Sequence, residues 1–264
     1  MICARESTRR AICSSRLRDL GIAVHSYHDR KLRIPAAWRP LKSEPKFLRG
    51  WATELLPDLE QPTAPQWLTT GKNLAKDLTG IDLTVMQCPS DIAERTFALH
   101  AEIPDRNETA PQSTARLAQR HDAVLRILPT ANFLGVFGTT EADEQGLPTG
   151  VAEREASDGP VVHDRRVRWS DLERGASVTL LVGERTMSKA PATWLGVDAE
   201  GEDAQCRLVG SAMTHPNCSE CDECEFSSRH SGGVNFLWGD GHVALLEDDV
   251  DQSIYRQYSQ RSVH

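Results

Sequence analysis

Cys218, Cys221 and Cys224, with His215 just upstream, are the residues of this 264-residue sequence whose types and spacing point most directly to chemistry. Zinc takes four thiolate or imidazole ligands, and three thiolates plus His215 would supply such a set. An iron–sulfur run would place a fourth cysteine four residues on, where Ser228 stands. A zinc ribbon would need a separate second pair of ligands, which the overlapping spacing lacks. Disulfides compete on equal terms, for example from Cys206 to one of the three. The chain has seven cysteines, the others being Cys3, Cys13 and Cys88, so pairing within one chain is incomplete. A reducing cytosol would keep them as thiols or ligands, and an oxidising envelope would pair some of them.

His230 precedes Gly232-Gly233, and Asp240-Gly241 follows, so an imidazole and a carboxylate could converge as a catalytic or ligand pair. Asp240 already has a sufficient task in a turn, and the structural reading is preferred, with His230 bonded to neighbouring backbone. Glu247-Asp248-Asp249-Val250-Asp251 offers oxygens to calcium but has no glycine-centred loop, so capping of a short helix explains it better. The sequence contains no Gly-x-Ser-x-Gly, His-Glu-x-x-His, Gly-x-Gly-x-x-Gly or Walker A pattern. The expectation is a non-enzyme. A hydrolase built from scattered His, Ser and Asp is the enzyme alternative.

The elements that would position these groups follow from periodicity. Cys13, Leu17, Leu20, Val24 and Tyr27 form one stripe of a helix of about 25 residues, which Pro35 stops. Between Pro35 and Pro65 the recurring prolines predict a loop-rich wrap across that helix. Ile81, Leu83 and Val85 alternate as a strand leading into Cys88, and the segment from Asp105 to Gln119 reads as an excursion loop with some helix. Residues from Gly146 to Pro160 read as a mobile surface loop. Val178 to Val182, between Gly175 and Gly183, reads as a buried strand. Val234 to Trp238 and His242 to Leu246 flank Gly239-Asp240-Gly241 as a hairpin, with Gly241 expected at positive φ. Val234, Phe236 and Trp238 should share a face that Val243 and Leu245 meet. On this reading Gly241→Ala costs more than about 0.4 to 1 kcal/mol. His230→Ala costs at most one hydrogen bond, about 0.5 to 1.5 kcal/mol. Asp248 and Asp251 can cap a last helix whose Val250, Ile254 and Tyr258 share a face.

Charge is unevenly spread. Residues 1–50 hold 12 of the 30 Lys and Arg and 4 of the 38 Asp and Glu, leaving 18 against 34 in the remainder. An acidic body argues against nucleic acid, which needs a clustered basic face. The basic start suits either anionic lipid headgroups or the solvated side of a helix. No stretch approaches the roughly 18 to 20 apolar residues of a membrane helix. Met1 to Arg10 has no apolar signal region, so the chain as written reads as soluble, with the cytoplasm as the alternative location.

A series of distinct landmarks runs along the chain: Ala4-Arg5-Glu6-Ser7 to Arg10, Cys13 to Leu17, Gly21 to Asp29, Leu55-Leu56-Pro57 with Leu59-Glu60, Cys88-Pro89-Ser90-Asp91, Gly135 to Gly138, and Asp171 to Glu184. They end in Phe226-Ser227-Ser228-Arg229-His230-Ser231-Gly232-Gly233-Val234-Asn235-Phe236-Leu237-Trp238-Gly239-Asp240-Gly241. This series resembles the prepilin-type processing-associated family with a His-x9-Asp-Gly signature, also called domain of unknown function 1559. The resemblance implies a type IV pilin-like α+β fold: residues 1–30 as the water-facing part of a long helix, and residues 31–264 as a globular body. In that body the helix packs on a mainly antiparallel sheet with the 230–241 hairpin central to it, and a short helix ends the chain. It further implies a structural or interaction protein of the bacterial envelope, partnered by pilus-like assembly proteins or by itself. The family's usual leader and apolar anchor helix are missing here, so the expectation is an in-frame apolar helix of about 20 residues upstream, or else a truncated paralogue. Membrane contact is expected only through such a helix. The signature residues are His230, Gly232, Gly233, Asn235, Asp240 and Gly241. Because Cys13 and Cys88 both lie in landmarks, they are expected to approach within disulfide reach. No cofactor is expected, with zinc at Cys218, Cys221, Cys224 and His215 as the metal-binding alternative and calcium behind it.

Overall fold

A computed structural model describes residues 2–59, 83–91, 94–102, 123–143, 157–163 and 165–263. The first helix, α1, spans Ile2–Lys31. Its stripe of Cys13, Leu17, Leu20, Val24 and Tyr27 is 0–2% exposed, as the four-residue recurrence requires. Each large apolar side chain so buried contributes about 1.5 to 3 kcal/mol. The helix ends where Leu32 turns to φ 53° and returns its N–H to His28. His28, Arg30 and Lys31 in the last turn suit the negative end of the helix dipole.

Among the described residues ten strands follow: β1 Trp38–Leu41, β2 Glu44–Gly50, β3 Thr96–His100, β4 Val124–Pro129, β5 Phe133–Gly138, β6 Leu180–Glu184, β7 Gly196–Asp198, β8 Val209–Ser211, β9 Gly233–Trp238 and β10 Val243–Glu247. A second helix, α2, spans Gln252–Ser259. The main sheet has the order β10-β9-β6-β5-β8, antiparallel except for the β5/β8 pair. A three-stranded sheet β1-β2-β7 and a hairpin β3-β4 flank it. The fold is therefore α+β, with a long first helix, antiparallel-dominated sheets and a short last helix. Two cores lie on opposite faces of the main sheet. Phe133, Phe137, Leu181 and Leu237 pack with α1, and Leu134, Val136, Leu180, Phe236 and Trp238 pack with Tyr255 of α2. Gly21 lets α1 approach closely, since a Cβ there would stand 2.9 Å from Leu237 Cδ1. Among the described residues no helix is long and apolar enough to cross a membrane.

Several expectations require correction. The proline-rich stretch after Pro35 holds β1, β2 and a 3-10 helix over Trp51–Asp58. Pro40 is tolerated because β1 is an edge strand with a bulge there, and Pro45 lies outside Phe47–Arg49, the part of β2 that β7 covers. The alternation at Leu83 and Val85 is a 3-10 turn, Thr84–Met86, that buries Leu83 and Met86 three residues apart. Ile81 and the segment 105–119 lie outside the described residues, as do 146–156 of the expected surface loop. Its end is buried instead: Ser157 donates to the Phe137 carbonyl at 2.6 Å. The buried strand runs two residues later than expected, with Val178 in a 3-10 turn. Gly183 lies inside it because Phe236 and Phe226 fill the space a Cβ would take.

The Asp240-Gly241 hairpin is formed, but β10 is the sheet edge, so the hairpin is peripheral and not central. Its register sets Ala244 opposite Phe236 and Leu246 opposite Val234, so these residues, and not Val243 and Leu245, share the face of Val234, Phe236 and Trp238. In α2 the buried residues are Tyr255 and Ser259, while Ile254 is 38% exposed. Val250 and Tyr258 pack on this core as expected, Tyr258 edge-on to Trp238, and Tyr255, edge-on to Phe236, takes the central place expected of Ile254.

Candidate functional site

Four landmarks separated in sequence meet where the first turns of α1, the 88–91 turn, the end of β6 and the entry to β9 come together. The His230 side chain is fully buried there. Its Nδ1 is 2.8 Å from Glu6 Oε1, which also accepts from Ser90 Oγ at 2.8 Å. Its Nε2 lies 3.4 Å from Cys88 Sγ and 3.3 Å from Glu184 Oε1, an ion-pair distance without the alignment of a hydrogen bond. The expected bond from His230 to neighbouring backbone is corrected: the ring faces carboxylates, and only the His230 N–H acts locally, donating to Ser228 Oγ. Carboxylates this far from water need donors, and Glu184 Oε2 receives two at 3.1 Å, from the N–H and Nδ2 of Asn235.

Around this centre the turn is fixed by Asn132, whose Oδ1 accepts from the Cys88 N–H at 2.8 Å and whose Nδ2 donates to Asp91 at 2.7 Å. Asp91 also accepts from the Met187 N–H and from Arg229 Nε. Cys13 and Cys88 form a disulfide with Cα atoms 5.4 Å apart, tying α1 to the same turn. Burial disfavours the charged forms of both His230 and Glu6. Hydrogen bonds and opposite charge outweigh it, so the His230 pKa is raised, by Glu184 and Glu6, and that of Glu6 is lowered, by His230 and Ser90.

Cys88, His230 and Glu6 stand in the order nucleophile, base, orienter. That chemistry needs a free thiolate and room for substrate. Here Cys88 is bonded to Cys13, and the adjoining cavity of about 10 Å³, lined by Cys88, Asn132, Glu184 and Ser227, holds one water at most. A larger cleft of about 490 Å³ opens next to it, between Thr186–Lys189, Asn217–Ser219 and Ser227–Arg229.

Asp240 is not part of this centre. It lies at the far end of β9, about 20 Å of strand from His230. Its Oδ1 accepts from the N–H of His242 at 3.0 Å and lies 2.6 Å from that ring's Nδ1. Gly241 has φ +93° and Gly232 has φ +87°, while Gly233 pairs with Glu247. Sequence reasoning assigned no role to Glu6, Ser90, Asp91, Asn132 or Glu184, although all but Asn132 lie in quoted landmarks. The available signal was the polar residues inside those landmarks.

The structure does not bring Cys218, Cys221, Cys224 and His215 together as one ligand set. Cys218 pairs with Cys221 and Cys224 with Cys206, with Cα separations of 5.4 and 5.0 Å, and His215 Nδ1 faces the Pro216 carbonyl. Cations hold this loop: Lys189 donates to the carbonyls of Cys218 and Cys221, and buried Arg185 donates to those of Glu223 and Cys206. Burial, then the nearby Arg207, lowers the Arg185 pKa to about 9. In the acidic run, Asp251 Oδ1 caps α2 and Asp248 binds Asn217.

No curated protein and no solved structure matches the chain. The model of a family described as a protein of unknown function (DUF1559) matches residues 3–253, which takes in α1, every strand and the His230 centre. The chain belongs to that family.

Proposed function

We propose that this protein is a non-enzymatic, pilin-like structural or interaction protein of the bacterial cell envelope, working through surfaces and not through turnover. The observation that carries the reading is the form of α1. From Cys13 onward its stripe is sealed on the sheet, whereas Ser7 to Ile12 are exposed and carry Arg9 and Arg10. The helix is held to the body at Glu6 and again from Cys13 onward, and the exposed basic turns between them present a surface for a second copy or for an envelope partner. The resemblance to prepilin-type proteins supports the same reading, as do three cystine pairs, which suit an oxidising compartment. The acidic composition beyond residue 50 disfavours nucleic acid as a partner.

The test places a photo-cross-linking residue at Arg9 in the full-length gene product in its own host, followed by cell fractionation. The expected result is recovery with the envelope and an adduct to itself or to an envelope protein. Recovery in the cytosol without an adduct would overturn the reading.

A further inference from the structure

The Sγ atoms of Cys13 and Cys88, a carboxylate oxygen of Glu184 and a ring nitrogen of His230 all lie within 4.8 Å of one another, and all four residues are buried. Two sulfurs, one imidazole and one carboxylate are donor types that zinc takes in four-coordinate sites. Ligand atoms about 2.0 to 2.3 Å from one tetrahedral centre stand about 3.3 to 3.8 Å apart. Nε2 of His230 is 3.3 Å from Glu184 Oε1 and 3.4 Å from Cys88 Sγ, so the spacing suits a shared cation.

Two independent features aim these atoms inward. Glu184 Oε2 is fully engaged by Asn235, while Oε1, in a residue 2% exposed, has no hydrogen-bond partner. His230 Nε2 faces it at 3.3 Å without an aligned hydrogen bond, so this buried oxygen keeps a lone pair for a cation. The second feature is the bond from His230 Nδ1 to Glu6. In the neutral ring it places the proton on Nδ1 and turns the Nε2 lone pair toward the sulfurs, as outer carboxylates do for metal-bound histidines.

We propose that reduction of the Cys13–Cys88 disulfide turns this centre into a four-coordinate site for zinc or a similar divalent cation. A dithiol reductant delivers two electrons and two protons to the Sγ–Sγ bond, which breaks into two thiols as the reductant becomes a disulfide. The incoming cation, unchanged in oxidation state, displaces both thiol protons, and the Nε2 proton if the ring is charged, to solvent. Bonds then form from the metal to both sulfurs, to Nε2 and to Oε1. The same two sulfurs hold α1 to the 88–91 turn in either state, covalently when oxidised and through the cation when reduced. The proposal is independent of envelope function, because it concerns only what these four side chains bind.

The test uses the full chain carrying Cys218→Ser and Cys221→Ser, reduced with a phosphine and titrated with cobalt(II). One equivalent should give thiolate-to-cobalt charge-transfer and tetrahedral ligand-field bands, and the oxidised protein should give neither. His230→Gln, which keeps both sulfurs, should weaken binding at least about tenfold. In parallel, reduced wild-type protein is alkylated with and without zinc and mapped by mass spectrometry, which needs no variant. Zinc should slow modification of Cys13 and Cys88 and leave Cys218 and Cys221 unaffected. Absence of the bands overturns the proposal. So do bands indifferent to His230→Gln, or zinc protection confined to Cys206 and Cys224, since Asp143 and that pair form the competing cluster.

Discussion

His230 and Asp240 flank the same strand, yet they are held by different means. The imidazole of His230 is 0% exposed and meets partners from residues 6, 88 and 184. The Asp240 carboxylate is 38% exposed, and its partner is His242 in the same turn. One end of the signature is a tertiary lock joining α1, the 88–91 turn, β6 and β9, and the other is local turn chemistry. A motif defined by spacing therefore does not mark one site. Its two ends answer to burial in one case and to backbone conformation in the other.

The comparison can be broken by removing its parts in turn. The largest loss is expected from Cys13→Ala with Cys88→Ala, because the disulfide closes a separation of 75 residues. The chain-entropy relation gives about 4.5 kcal/mol for such a loop, read as a fall in urea midpoint against the oxidised wild type. His230→Ala comes next, at about 3 kcal/mol, because it leaves the buried Glu184 carboxylate without the imidazole that faces it. That exceeds the single hydrogen bond the sequence suggested. A loss below about 1 kcal/mol in the same assay would reduce the centre to ordinary packing.

The other end should be milder. Gly241→Ala is expected to cost about 1 to 2 kcal/mol, since φ is +93° while the space around it is open, the nearest atom being 3.8 Å away. Asp240→Ala should cost about 0.5 kcal/mol, as an exposed pair with a sequence neighbour contributes little. Thermal melts of the two variants, compared with that of His230→Ala, would reverse the comparison if Asp240→Ala proved the most damaging.

Patterns of short range were legible in the sequence. The α1 stripe, the Asp-Gly hairpin and the Asp251 cap each depend on residues within a few positions, and the structure has all three. Register and sheet position were not. Gly183 resembles a strand terminator until Phe226 and Phe236 are seen to fill its space, and β10 as an edge follows from strand order. The His230 centre was half legible. Most of its residues stand inside the quoted landmarks, but the contact from residue 6 to residue 230 exists only through the packing of α1 on the sheet. The cysteine-rich loop was legible only as alternatives. Close spacing made Cys218, Cys221 and Cys224 resemble one ligand cluster, a disulfide from Cys206 to one of them stood beside that reading, and burial selects Cys224 as its partner.

The most direct test of the lock is a double-mutant cycle between His230→Ala and Glu184→Gln, followed by chemical denaturation of the oxidised protein. Glutamine keeps an acceptor for Asn235 and removes only the charge that faces the imidazole. A coupling energy of about 2 kcal/mol is expected for a buried pair in one network. Losses that add to within about 0.5 kcal/mol would show that His230 and Glu184 act independently, and would contradict the lock.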